Sequence, residues 1–197
     1  MSRPSIVAAA LVCVALVGCA ATTKVDTTGM ALKEPLCRAG GEKLSALVYW
    51  GPQWRPDQKE PPAREAAAQR GIQAFFAGSD CLVLADLRRL PGERSAEVPS
   101  DAELLRLASS AAPLPDRVML IVVRELGPKL VIGIPALVEG GTEVVVDVRV
   151  LNVRSSKSMA DVRTHWQNGG TFIIKGVKTL EEDMGAALRS TLISPSP

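Results

Sequence analysis

A single histidine, His165, stands in a chain of 197 residues, so any Ser-His or Cys-His mechanism must pass through it. It lies in the run MADVRTHWQ, where strand alternation puts Asp161, Arg163, His165 and Gln167 on one face and Ala160, Val162, Thr164 and Trp166 on the other. On such a polar face the imidazole reads as solvent-facing or locally bonded rather than catalytic. Asp147 and Asp161 could meet across a hairpin and shift each other's protonation, as the two carboxylates of sugar hydrolysis do. Arg149 and Arg163 are equally near, so ordinary salt bridging is the favoured reading. A zinc site needs three or four ligands at set spacing, and no HExxH or CxxC pattern supplies them. The glycine pairs 40–41, 140–141 and 169–170 stand in no phosphate-cradling pattern and read as turns or bulges. Neither a catalytic set nor a metal nor a cofactor is expected. With a formal net charge of +2 and scattered basic residues, nothing favours nucleic acid.

These residues must be carried by strands and helices whose signals alternate along the chain. LSALVYW, 44–50, reads as a buried strand stopped by Gly51-Pro52, and the proline-rich GPQWRPDQKEPP is a loop. Trp54 within it is either folded back on the domain or offered to a partner. Residues 63–78 space Ala68, Ile72 and Phe75 as a helix ending at Gly78, and 81–90 is strand-like. Ser100 and Glu103 form a capping-box pattern before a second helix. RVMLIVVREL and PKLVIGIPALVEG read as two strands, with Pro135 favouring an edge or bend. TEVVVDVRVLNV and KSMADVRTHWQ read as a hairpin around Arg154-Ser155-Ser156. Opposite charges set Arg149 against Asp161 and Asp147 against Arg163. That register sends Val144, Val146, Val148 and Val150 to the core and leaves Asp147, Arg149, Asp161, Arg163 and His165 for solvent or a partner. GGTFIIKG is a last short strand or a buried connection. Thr179 and Glu182 make a second capping box, before a closing helix lined by Leu180, Met184, Ala187, Leu188 and Leu192.

At the N-terminus, Arg3 precedes the apolar run IVAAALVCVALV, which suits a secretory signal and falls short of the ~20 residues that span a bilayer. Leu16-Val17-Gly18-Cys19 then resembles the lipobox of bacterial lipoproteins. The resemblance implies cleavage before Cys19, a diacylglycerol group on its thiol and an acylated amine, a stable two-signal anchor. Ala20, where an aspartate would retain the protein in the inner membrane, implies the periplasmic face of the outer membrane. The expected organisation is therefore a signal peptide at 1–18, a lipidated tether at 19–34 that needs no fold, and one periplasmic domain at 35–197. Cys13 leaves with the signal and Cys19 carries lipid, so Cys37 and Cys81 remain as a disulfide, or less favourably as a metal pair, in an oxidising compartment. The bridge would be worth roughly 4 kcal/mol by the chain-entropy estimate.

The element order argues an α+β fold, a mixed sheet of about five strands with two or three helices packed on one face. The segments DRVMLIVVREL, EVVVDVRVLNVRSSKSMADVRTHW and TLEEDMGAALRSTL resemble bacterial envelope lipoproteins of the TolB N-terminal-like group. That group includes the periplasmic domain of the curli secretion-channel lipoprotein and a lipoprotein activator of a penicillin-binding protein. The likeness covers roughly residues 44–193 in element order and the last third in residue pattern. It departs at Asn152 and at Ser155-Ser156-Lys157, and it transfers no functional residue. Together with the lipobox and the lack of a catalytic set, it implies a lipid-anchored periplasmic protein that binds an envelope protein partner in assembly or regulation; Trp54 and the charged hairpin face, read from the residues themselves, are the candidate contacts. The alternatives are a structural subunit of an outer-membrane secretion or transport apparatus and a peptidoglycan hydrolase.

Overall fold

Strand β2 (Leu44–Pro52) is buried along most of its length because it is flanked on both sides by parallel neighbours and covered on both faces. A computed structural model describes residues 21–33, 36–37, 40–91, 98–133 and 137–193. The signal-like segment 1–18, Cys19 and Pro135 lie outside the described residues. From β2 the chain passes through α1 (Pro61–Ala77) to β3 (Leu82–Arg89), then through α2 (Asp101–Ser109) back across β2 to β4 (Arg117–Gly133). Two crossovers that step in opposite directions, each right-handed, must place their helices on opposite faces of the sheet. Accordingly α1 packs with Ala46, Val48 and Trp50, whereas Leu104 and Ala108 of α2 pack with Leu47, Tyr49, Leu120 and Val122. Of the two or three helices expected on one face, two are there: α1 and α3 (Leu180–Leu192) share it, and α2 lies on the other.

Strand β4 then hairpins onto β5 (Leu137–Asn152), which turns into β6 (Lys157–Thr171), and β1 (Thr22–Met30) closes the edge, giving the order β1-β6-β5-β4-β2-β3. The fold is α+β with a six-stranded mixed sheet. Three elements differ from the sequence reading. Residues 22–30, expected within a tether, pair antiparallel with β6 from Thr22–Gly169 to Met30–Asp161. Four threonines and Val25 in TTKVDTTGM suit a half-exposed edge strand, a preference hidden by the segment's small, polar composition. The two strands read at 117–138 are one, because Gly127-Pro128 continues β4 and the reversal lies beyond Gly133. Thr179 makes no side-chain cap; a 3-10 turn (Val177–Thr179) leads into α3 instead. Ser100, by contrast, accepts a hydrogen bond from the Glu103 amide as its pattern implies. Cys37 and Cys81 form the disulfide, at a Cα separation of 5.8 Å, and it ties the chain ahead of β2 to the entry of β3.

Where β2 stops at Pro52, opposite Val123, β4 runs on with an unpaired edge. Gln53 donates to the Val123 carbonyl at 2.8 Å, and the buried Arg64 of α1 takes over beyond it. Its guanidinium donates to Leu126 O and to Lys59 O (2.6 Å) and pairs with Glu125, which also meets Arg55 (3.0 Å) and Gln58 (3.0 Å). Gly127 leaves the space this guanidinium occupies.

Helices α1 and α3 cross at Gly71, where an added Cβ would lie 2.6 Å from Met184 Cβ and 2.7 Å from Glu181 O; at Gly185 the nearest atom is 3.5 Å away. Gly71→Ala should therefore cost ~1 kcal/mol or more, overpacking outweighing the better helix propensity. Gly185→Ala should be neutral or stabilising by a few tenths of a kcal/mol. Urea midpoints of the two variants check this, and equal shifts would contradict the crossing geometry.

Candidate functional site

Hairpin β5–β6 pairs in the register set by charge, with Arg149 opposite Asp161 and Asp147 opposite Arg163. Val144, Val146, Val148, Val150, Ala160, Val162 and Trp166 are all buried under α1 and α3. The opposite face carries the polar set, and α2 covers only its β2–β4 end. Along this open face the charges form a ladder. Arg149 reaches Asp101 of α2 (3.1 Å) and Asp161 (3.4 Å), and donates to the Pro99 carbonyl (3.2 Å). One rung further, Arg163 grips Asp147 with both nitrogens (2.6 and 3.0 Å) while Arg124 donates to the same carboxylate at 2.6 Å. Beyond that, His165 Nε2–H and Gln167 Nε2 (3.2 Å) both donate to Glu143, which Lys129 approaches at 3.6 Å.

Five of the sequence candidates, Asp147, Arg149, Asp161, Arg163 and His165, thus share one surface. Trp54 does not join them: its ring is half-buried against the core on the α1 and α3 side, with its indole N–H lacking an acceptor among the described residues. Sequence reasoning missed Arg124 and Glu143. Glu143 was open to discovery, since alternation from Asp147 puts it on the same face. Arg124 was not, because a bulge between Val123 and Glu125 shifts the local register.

Two hollows interrupt the face. One, of about 370 Å³, lies between Val98, Thr28 and the Arg124–Asp147–Arg163 cluster. The other, about 360 Å³, lies where Gly141 opposes Gly169, walled by Lys24, Lys129, Glu139 and Gln167. Side chains are barred from its floor: a Cβ on Gly141 would stand 2.3 Å from Asn168 O, and one on Gly169 2.1 Å from Gly140 O. Among the described residues, no hydroxyl or thiol hydrogen-bonds to His165, and no group of three His, Cys, Asp or Glu side chains could hold a metal. The arrangement supplies fixed, mutually compensated charges, suited to recognition by complementary pairing.

The fold and face together define an α+β domain with one charged sheet surface. Comparison with known families and with curated proteins finds no match. Among solved structures, the chain is similar to the PelC dodecamer from Paraburkholderia phytofirmans, at 16% identity and a TM-score of 0.44 over 89% of this chain and 100% of that one. It is also similar to protein XCC0632 from Xanthomonas campestris, of family DUF330, at 14% identity and a TM-score of 0.38 over 82% and 85%.

Burial raises the Asp147 carboxyl, but the bonds from Arg163 and Arg124 outweigh it and hold the group below the ordinary aspartate value; Glu143 is lowered likewise against its burial by His165 and Gln167. A carboxyl depressed in the folded state contributes stability above its unfolded pKa, which is lost as pH falls through the folded value. Asp147→Asn should cost about 1–2 kcal/mol at neutral pH, a difference that shrinks below pH ~4. Urea midpoints at neutral and acid pH test it, and a pH-independent difference would remove the carboxylate from the account.

Proposed function

We propose that the chain is a lipid-anchored envelope protein that offers the charged open face of its sheet to a protein partner in assembly or regulation of the bacterial cell envelope. The observation that carries this reading is the ladder itself. Asp147, Arg149, Asp161 and Arg163 sit in register, with Arg124 joined to them at a bulge, on a sheet surface left largely without a covering helix among the described residues. An antiparallel sheet packed on one face commonly leaves the other to solvent, so what singles this surface out is its row of interlocked charges rather than its exposure. Its paired charges favour a partner bearing matched acidic and basic groups, because each unmatched charge brought against it would be desolvated without compensation. The anchor is argued from Leu16-Val17-Gly18-Cys19 behind a short apolar run, and the disulfide fits an oxidising compartment.

Mass spectrometry of the mature protein should find acyl chains on residue 19, and Cys19→Ser should leave uncleaved or mislocalised precursor. A photo-crosslinking residue at position 161 should capture one envelope protein in cells, and the same residue at Gln73 on the exposed side of α1 should not. An unacylated wild-type product would remove the anchor from this reading, and equal capture at both positions would remove the face.

A further inference from the structure

Four residues stand side by side across the antiparallel half of the sheet: Thr22 of β1, Gly169 of β6, Gly141 of β5 and Lys129 of β4. From this row β4 continues three residues to Ile132. Cys19 precedes Thr22 by the same number of residues, so it lies within ~11 Å of the row whatever path the chain takes. With so short a link, an acylated Cys19 would have its lipid within reach of the distal end of the arm formed by β4, β5 and β6.

That end gathers the most exposed large apolar side chains of the described residues. Ile132 is 72% exposed, Phe172 65% and Ile174 82%, and Leu130 and Val131 beside them are also exposed. Alternation sends Val131 to one face of the arm and Leu130 and Ile132 to the other. A flat protein surface could cover one of those faces; a fluid layer surrounds both. Lys24 and Lys129 stand behind the tip, opposite Gln167 and Gly141, whereas Glu139 at the tip opposes them. Apolar side chains leading and lysines following is the order of a segment seated at a bilayer interface.

We infer that the distal end of the β4–β5–β6 arm sits in the headgroup layer of an anionic leaflet, beside the acyl chains of Cys19, so that the domain is held at the membrane without a spacer. The inference rests on the anchoring reading above. Tip contact orients the domain, setting the long axis of the arm toward the bilayer and leaving the charged ladder between tip and α2 accessible from the side.

With Cys19 acylated, Cys37 bonded to Cys81 and Cys13 removed with the signal, a cysteine introduced at Ile174 or Ile132 is a single free thiol. Full-length protein carrying its own leader is purified from membranes, labelled there with a polarity-sensitive fluorophore, and reconstituted into phosphatidylethanolamine–phosphatidylglycerol vesicles containing lipid-borne nitroxide. Ser155→Cys, in the β5–β6 turn at the other end of the arm, is the comparison, and the wild type is the blank. Quenching at the tip of ~2-fold or more, with almost none at position 155, is the expected result. A tip probe that stays as wet as the one at 155, or one shielded from water yet unquenched because protein such as a second copy covers it, overturns the inference. Mass spectrometry of residue 19 on the same samples separates the two readings. Acylated protein with a wet tip defeats tip contact alone; unacylated protein, which betrays itself by labelling of Cys19 in the wild-type blank, defeats the anchor and with it the inference that rests on it.

Discussion

A slip of one residue between β5 and β6 would turn four valines to water and bury Asp147 and Arg149, and almost every other element is placed by that pairing. Strand β4 takes its register from β5, and β1 takes its register from β6. The helix pair α1 and α3 then packs on the valine face that results. Burial decides the face, since each valine removed from water contributes on the order of 1.5–3 kcal/mol. Charge only selects among the registers burial allows, because each exposed pair is worth a few tenths. The charged ladder is therefore a by-product of the core's alternation, placed on the outer surface with the precision of the inner one.

The sheet also has to change character along one strand. Its first half is a parallel β-α-β-α-β unit ordered β3-β2-β4, and its second half is an antiparallel meander; β4 belongs to both. In open parallel sheets the crevice at the carboxyl ends of the strands, where crossovers diverge, commonly admits a ligand. Here that place is closed by the buried Arg64, spent on the Leu126 carbonyl that β2 no longer reaches, on the Lys59 carbonyl before α1 and on Glu125. The continuation of β4 past β2 thus converts a binding crevice into a structural joint, and leaves the open face as the recognisable surface.

Much of this was legible in the sequence and some was not, for identifiable reasons. The hairpin register followed from alternation and charge alone, and the cysteine pair from what remained once the N-terminal segment was set aside. The face taken by α2 was hidden because it depends on the direction of a crossover, which no local pattern encodes. Strand β1 was hidden because nine residues with only Val25 and Met30 apolar carry little apolar signal, and their partner lies far along the chain. Arg124 joined the ladder through a bulge, which breaks the very periodicity that revealed the other members. At Thr179 the capping pattern was present but the backbone was already helical, so the hydroxyl bonds Gly176 O instead.

Residue 22 is bonded to residue 169, and this fixes an order in time as well as in space. A chain made from its N-terminus presents β1 before β6, so the first strand waits without a partner until the rest of the sheet has emerged. Contacts so distant in sequence are slow to form because a long loop must close before they stabilise anything. For that interval the exposed backbone of β1 can be shielded only by water or by whatever receives the chain, and its threonines, Lys24 and Asp26 are the polar side chains that make such a wait tolerable.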